Sequence, residues 1–241
     1  MRSRSSTRKN LWGSLRAGDA VLVDSRDTDI VIPVIGQSGA GKSTFINTIT
    51  KKTERPVFSG LDVGTTTFGY VTVDNPRTPG QRIVFVDTPG FNNSLVDDSE
   101  ILRRLISWLA KSRTRLGGVV YLHEISQART PGPALWKNLE YLAGQMHNGG
   151  ANQVGGKGIV ISTTKWSEVP QEVGERREKE LQEKDWKLMI GLGTKVCRYQ
   201  DTYESGWEVV HLILDHVAKK RSIEEDLQEI EKIIARIRMN L

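Results

Sequence analysis

Short apolar runs and helically spaced apolar residues alternate along most of this chain. Ile30-Val31-Ile32-Pro33-Val34-Ile35 is long enough for one buried strand, and Phe45, Ile46 and Ile49 beyond it share a helical face. Pro33 cannot donate to a sheet ladder, so a local irregularity is expected there. Residues 53–64 carry Pro56, Gly60 and Gly64 and read as a loop. Phe68–Val73 and Arg82–Val86 flank a Pro–Gly turn at residues 75–80. That arrangement predicts an antiparallel hairpin inside an otherwise parallel sheet.

A helix from about Asp97 to Lys111 turns Ile101, Leu105, Trp108 and Leu109 inward. Gly118–His123 is the next buried strand, and a loop over 126–133 leads to a helix carrying Leu135, Leu139, Leu142 and Met146. A Gly/Asn-rich connection at 147–156 precedes the strand Gly158–Ser162. Gln171–Met189 is charged almost throughout and is expected as a surface helix with few anchors. Lys195–Tyr199 is a last strand, followed by a helix over 204–218 with Trp207, Val210, Leu214 and Val217 inward.

Strands alternating with helices predict an α/β fold, a three-layer, doubly wound, mostly parallel sheet. Three parts follow: a basic flexible tail and lead-in segment at 1–29, the main domain at 30–220, and a C-terminal amphipathic helix at 221–241. In that helix Ile223, Leu227, Ile230, Ile234, Ile237 and Leu241 alternate four and three apart, and Ser222 with Glu225 makes a capping box. Packing on its own domain is preferred to a coiled coil, because the repeat is short of three heptads.

Composition narrows the function. The net charge of +5 is concentrated in the first nine residues, and the remainder is mixed with Asp and Glu. A solvated surface is the better reading, and nothing resembles a nucleic-acid module. No stretch approaches the ~20 apolar residues of a membrane span. The start shows no secretory signal, and a disordered basic tail is preferred to a transit peptide. Cys197 is the only cysteine, which excludes an internal disulfide and fits a reducing, cytoplasmic setting.

Gly36-Gln37-Ser38-Gly39-Ala40-Gly41-Lys42-Ser43 reads G-x-x-x-x-G-K-S between a strand and a helix, the context a phosphate-binding loop needs. Gly39 and Gly41 let the backbone aim successive N–H groups at a polyphosphate, and the helix N-terminus adds donors and partial positive charge. Lys42 would reach the β/γ-phosphates and the Ser43 hydroxyl would hold Mg²⁺. Residues 36–43 with Thr44 form the expected phosphate set. Asp87-Thr88-Pro89-Gly90 follows an apolar strand as the natural companion. Asp87 would bind Mg²⁺ through water, and the Gly90 N–H would meet the γ-phosphate.

These two motifs resemble the translation-factor-related class of P-loop GTPases, and within it the septin and immunity-associated branch and fungal single-domain G proteins. Ser43-Thr44-Phe45-Ile46-Asn47, Asp87-Thr88-Pro89-Gly90-Phe91, Tyr121-Leu122-His123 with Ile125-Ser126, Thr163-Thr164-Lys165-Trp166 and Thr202-Tyr203-Glu204-Ser205 are similar to stretches of the fungal proteins. The resemblance implies GTP and GDP as ligands with Mg²⁺, and a switch I threonine that binds Mg²⁺ just before the strand at Phe68. Thr67 is the first choice and Thr66 the second in the run Thr65–Thr67. It aligns Thr164, Lys165 and Ser167 with the base-reading N/T-K-x-D motif, where Ser167 replaces the aspartate. A neutral hydroxyl is a weaker acceptor than a carboxylate, which puts guanine selectivity in question. Glu168 is the adjacent substitute, pointing elsewhere, and Trp166 is a candidate cover for the base.

The position of the water-orienting glutamine of Ras-like proteins is Phe91. Slow basal hydrolysis is therefore expected, accelerated by a homodimer across the nucleotide face or by another, unknown effector. His123 and Arg129 are candidate groups acting in trans, although a lone histidine there is more often structural. The leading expectation is a GTPase switch in which Lys42, Thr67 and Gly90 carry catalysis. A nucleotide-binding module with little turnover, and the same chemistry on ATP, are the alternatives.

Overall fold

A computed structural model describes residues 15–51, 66–91, 98–112, 114–127, 139 and 156–220. The expected basic tail through residue 14, Thr65, Arg129, most of the helix around Leu139, and the amphipathic helix at 221–241 lie outside them. Strands β1 (Ile30–Gly36), β2 (Gly69–Asp74), β3 (Arg82–Asp87), β4 (Arg115–Leu116), β5 (Val119–Glu124), β6 (Ile159–Thr164) and β7 (Lys195–Arg198) form one sheet. Around it lie α1 (Lys42–Thr50), α2 (Asp98–Ser112), α3 (Gln171–Glu183), α4 (Lys187–Gly191) and α5 (residues 203–220). The strand order is β2-β3-β1-β5-β6-β7, with the short β4 also on β1. β2 runs antiparallel to β3, and every other pairing is parallel. No described helix is long and apolar enough to cross a membrane.

Strand side chains alternate between faces, so the sheet separates two cores. Val31, Ile35, Val84, Val86, Tyr121 and Ile161 join the α2 side chains Ile101, Leu105 and Trp108 in one. Ile32, Val34, Phe85, Leu122 and Val160 join Phe45 and Ile46 of α1, and Val210 and Ile213 of α5, in the other. Phe85 faces the α1 layer, and so does Asp87, two residues on.

β1 itself passes through Pro33 without a break, keeping Pro33 opposite Val86. The irregularity lies in the neighbouring strand. Val31 accepts from the Gly117 N–H on that side, so the Pro33 nitrogen, two residues along, faces the same way. There the partner splits into β4 and β5, which pair with Ile30–Val31 and Val34–Gly36 respectively. The ladder is interrupted where proline has no hydrogen to give.

Residues 15–29 of the lead-in segment are fixed by defined contacts. Leu22 is buried, and the Trp108 indole N–H donates to the Ala20 carbonyl at 2.5 Å. Arg82 holds Asp29 with two bonds, Nε to Oδ1 at 3.0 Å and Nη2 to Oδ2 at 2.8 Å.

The charged stretch 171–189 is deeper in the fold than its composition predicts. It breaks into α3 and α4, and Trp186 between them donates its backbone N–H to the Leu181 carbonyl at 2.8 Å. Trp186 and Met189 are fully buried in the α2-side core. Truncating so large a buried side chain leaves a cavity, so Trp186→Ala is expected to lower unfolding free energy by about 3–5 kcal/mol, read from urea denaturation.

Candidate functional site

The reversal in strand order falls at β1, whose neighbours β3 and β5 connect outward in opposite directions. Ligands of open α/β sheets collect at such a point, beyond the carboxyl ends of the strands. β1 ends at Gly36, and the loop 37–41 turns into α1 there. Gly39 and Gly41 stand at φ 85° and 88°, with open space where a Cβ would be. Glycine is needed there for backbone shape, and the free volume beside the loop suits a ligand approaching the main chain. Gly41 caps α1 with no side-chain bond, and no acidic residue occupies the first turn. The helix therefore offers its first N–H groups and positive end to an anion. Thr44 is exposed on that turn, while Ala40 is buried and its carbonyl accepts from the Thr164 hydroxyl at 3.1 Å.

Lys42 folds back over the loop and donates to the Gly36 carbonyl at 3.2 Å and the Gln37 carbonyl at 2.9 Å. Burial pushes its ammonium down to about 8, opposed by the Asp87 carboxylate. An anion beside it would stabilise the charge that burial disfavours. Ser43 donates to Asp87 Oδ2 at 2.6 Å. Burial raises the Asp87 carboxyl above the usual range, against the Ser43 bond and the Lys42 charge. Its Oδ1 is buried and has no hydrogen-bond partner among the described residues. A buried, unpaired carboxylate oxygen beside a hydroxyl is a donor set that fits Mg²⁺ held partly through water.

Asp87-Thr88-Pro89-Gly90 is fastened to the loop. The Thr88 hydroxyl donates to the Val34 carbonyl at 2.9 Å. Phe91 and the loop exchange two bonds, Phe91 N–H to Gly36 at 2.9 Å and Ser38 N–H to Phe91 at 3.0 Å. Gly90 lies so close that a Cβ on it would stand 2.5 Å from Ser38 Cα. The Phe91 ring is buried in the α2-side core.

Thr67 is near this group but is not bonded into it. Gly69 pairs with Asp87 across the hairpin, which sets Thr67 two residues beyond that pair. Its methyl leans toward Gly18, and the Thr66 carbonyl accepts from Arg104 at 3.2 Å.

At the end of β6, Lys165 adopts a left-handed conformation with φ 60°. Its ammonium lies 3.2 Å from Glu124 and 3.6 Å from Glu168, so Glu168 turns back along the lysine. Ser167 is exposed in the single 3₁₀ turn Trp166–Glu168. Trp166, the candidate cover for a base, is half-buried. Its N–H donates to the Thr163 hydroxyl at 3.1 Å, and the Arg198 guanidinium lies 4.3 Å from the ring centre. Two acids here escape a motif reading. Glu124 sits opposite Thr164 in the β5–β6 register and anchors Lys165. Asp201 follows β7, its carboxyl raised by burial and then by Glu168, with Lys165 opposing. Neither belongs to a contiguous pattern, so strand pairing was needed to find them.

The geometry agrees with similarity to known proteins. Residues 31–132 match the family model described as 50S ribosome-binding GTPase. That stretch of the chain is thus similar to P-loop GTPase domains. Over 175 residues the chain is 29% identical to GTPase Der of Deinococcus deserti, covering 67% of this chain and 33% of that protein. It thus spans about a third of the length of that relative. In fold it is similar to a bacterial selenocysteine-specific elongation factor EF-Sec, with TM-score 0.54, 16% identity, and 79% of this chain and 29% of that one covered. A dimerization-deficient mutant of Toc33 from Arabidopsis thaliana aligns with TM-score 0.53 and 14% identity, covering 73% of this chain and 72% of that one. Toc33 in complex with Mg²⁺ and GMPPNP aligns with TM-score 0.50 and 15% identity over the same shares, 73% and 72%. At these identities the structural likenesses speak to the fold.

His123 does not act in trans. It is 1% exposed, with the Trp186 ring edge-on at 5.2 Å and Tyr121 stacked at 6.5 Å. Burial lowers it to about 4 from an ordinary 6.5. Between those values the unfolded chain binds a proton that the native fold rejects, so stability is full above about pH 6.5 and falls as pH drops toward 4. The loss attributable to this residue is roughly 3 kcal/mol at most. His123→Phe should flatten that part of the stability profile, measured by urea unfolding from pH 7 to 4.

Proposed function

We propose that the chain is a Mg²⁺-dependent GTP hydrolase working as a switch, with slow basal turnover raised by self-association or by an effector. The observation that carries this is the Ser43–Asp87 bond of 2.6 Å beside Lys42, at the end of a strand leading into a glycine loop. Loop N–H groups from residues 39–44 and the Lys42 ammonium would hold the β/γ-phosphates. Ser43, Thr67 and, through water, Asp87 would hold Mg²⁺, which when bound neutralises charge on the phosphates. The Gly90 N–H would meet the γ-phosphate, and residues 60–72 and 88–96 would order around it. Catalysis then rests on positioning and electrostatic stabilisation of the transferring group.

Phe91 motivates the low basal rate, since its buried ring cannot orient water by hydrogen bonding. Association across the nucleotide face is supported by the likeness to Toc33, a protein for which a dimerization-deficient mutant is described. A closer affinity to the septin and immunity-associated branch and to fungal single-domain G proteins, a domain extent of 30–220 with a lead-in at 1–29 and a terminal helix at 221–241, and a cytoplasmic setting complete the proposal. Phe91 also favours a second reading, a nucleotide-binding module with little turnover. Ser167 favours a third, the same chemistry on ATP.

Titration with GTP and ATP in Mg²⁺, followed by phosphate release at several protein concentrations, separates these readings. GTP should raise the melting temperature, and phosphate release per molecule should increase with protein concentration. Lys42→Ala should weaken nucleotide binding by roughly a hundredfold, the scale of a lost charged hydrogen bond. The proposal fails if neither nucleotide moves the melting temperature and Lys42→Ala changes nothing. Ser167→Asp should shift preference toward GTP by about tenfold, read as the ratio of the two dissociation constants.

A further inference from the structure

The lead-in segment places one carboxylate where four donors converge. The Asp19 side chain is fully buried and paired with that of Arg104, also fully buried, on α2. Asp19 Oδ1 accepts from the Phe68 N–H at 2.9 Å and from Arg104 Nη2. Its Oδ2 accepts from the Arg16 N–H at 2.8 Å and from Arg104 Nε at 3.3 Å. Arg104 Nη2 also donates to the Thr66 carbonyl at 3.2 Å, and the guanidinium lies 4.9 Å from the Phe68 ring centre. The Phe68 carbonyl accepts from the Ala20 N–H at 3.0 Å.

These contacts share one target. The peptide between Thr66 and Thr67 is held through its carbonyl by Arg104. The peptide between Thr67 and Phe68 is held through its N–H by Asp19. The two ends of one ion pair therefore grip the two peptide units that flank Thr67. Gly18, at φ 94°, passes beneath it, and a Cβ there would come within 3.2 Å of the Thr67 methyl. On the other side, Arg104 belongs to the helix that follows the Asp87–Phe91 segment. A second ion pair, Arg16 to Glu100 at 2.7 Å, ties the same lead-in segment to α2.

We propose that Asp19 and Arg104 are positioning residues for Thr67, fixing where its hydroxyl and N–H meet Mg²⁺ and the γ-phosphate. The proposal rests on the GTPase reading of the site. Because the pair joins the strand end carrying Thr67 to α2, it also makes the two nucleotide-sensing segments move together. A buried pair held by bonds from both carboxylate oxygens and from Arg104 Nε and Nη2 has few alternative geometries, so a shift of α2 must be passed to Thr67 or break the pair. The segment before the nucleotide domain thereby becomes part of the triphosphate sensor.

Positioning of Thr67 matters for a triphosphate and little for a diphosphate, which has no γ-phosphate to contact. The test measures dissociation constants of GMPPNP and GDP in Mg²⁺ on the full chain. The variants are Asp19→Asn, Arg104→Lys, Thr67→Ala and the double variant Asp19→Asn/Thr67→Ala. Asp19→Asn should weaken GMPPNP by roughly tenfold while GDP stays within about twofold, the scale of one hydrogen-bond contact. In the Thr67→Ala background the same change should leave the GMPPNP/GDP ratio where it is, because the two residues act as one unit. Arg104→Lys keeps the charge but loses the fork that spans Asp19 and Thr66. It should shift the ratio the same way, and it serves where Asp19→Asn does not fold. Equal losses for both nucleotides, or losses that add to those of Thr67→Ala, would overturn the positioning role. Wild-type protein that binds neither nucleotide would overturn the GTPase reading and this proposal together.

Discussion

Everything at the site depends on β1 being held between two parallel neighbours. With β3 on one edge and β5 on the other, the carboxyl end of β1 cannot continue into more sheet without leaving the crevice where the order reverses. The chain must turn there, and it turns on glycines that permit left-handed backbone. The same embedding carries Asp87 to the end of β3 and Thr164 to the end of β6, on either side of the loop. Register does the rest. Val34 lies opposite Asp87, and Ile35 opposite Tyr121, so loop, acid and base-side segment share one level.

Charge inside this crevice suits the proposed polyanion and divalent ion. The Lys42 ammonium is buried and held by two carbonyls, while the Asp87 carboxylate has one oxygen on Ser43 and one without a described partner. Burial disfavours both charges separately, and their mutual attraction offsets only part of that. A phosphate chain with a divalent metal would relieve both at once. The zipped contact between Phe91 and residues 36–38 brings the Gly90 backbone against the loop.

The lead-in segment extends this logic beyond the domain proper. It has little periodicity of its own, yet its acids occupy two fully desolvated positions, Asp29 on Arg82 and Asp19 on Arg104. Buried ion pairs contribute little net stability against an apolar alternative, but they are strict about geometry. One secures the far end of the hairpin, and the other grips the peptides around Thr67.

The strand–loop–helix at 30–49, the acid after the third strand, the antiparallel hairpin and the layered sheet were all legible in the sequence, because each rests on local pattern: apolar runs, glycine spacing, a Pro–Gly turn. Local pattern also pointed to Phe91 as unable to serve a water. What it could not decide was where isolated residues end up. Trp186 looked like part of a surface helix and is core. Trp166, a candidate cover for a base, has the Arg198 guanidinium over its ring. His123 is sealed under Trp186, and the break expected at Pro33 moved into the strand beside it. Asp19 and Glu124 acquire partners 85 and 41 residues away, respectively. Only the packed sheet decides such partnerships, because burial and pairing depend on which strands become neighbours, and neighbourhood across the sheet is not a property of any one stretch of chain.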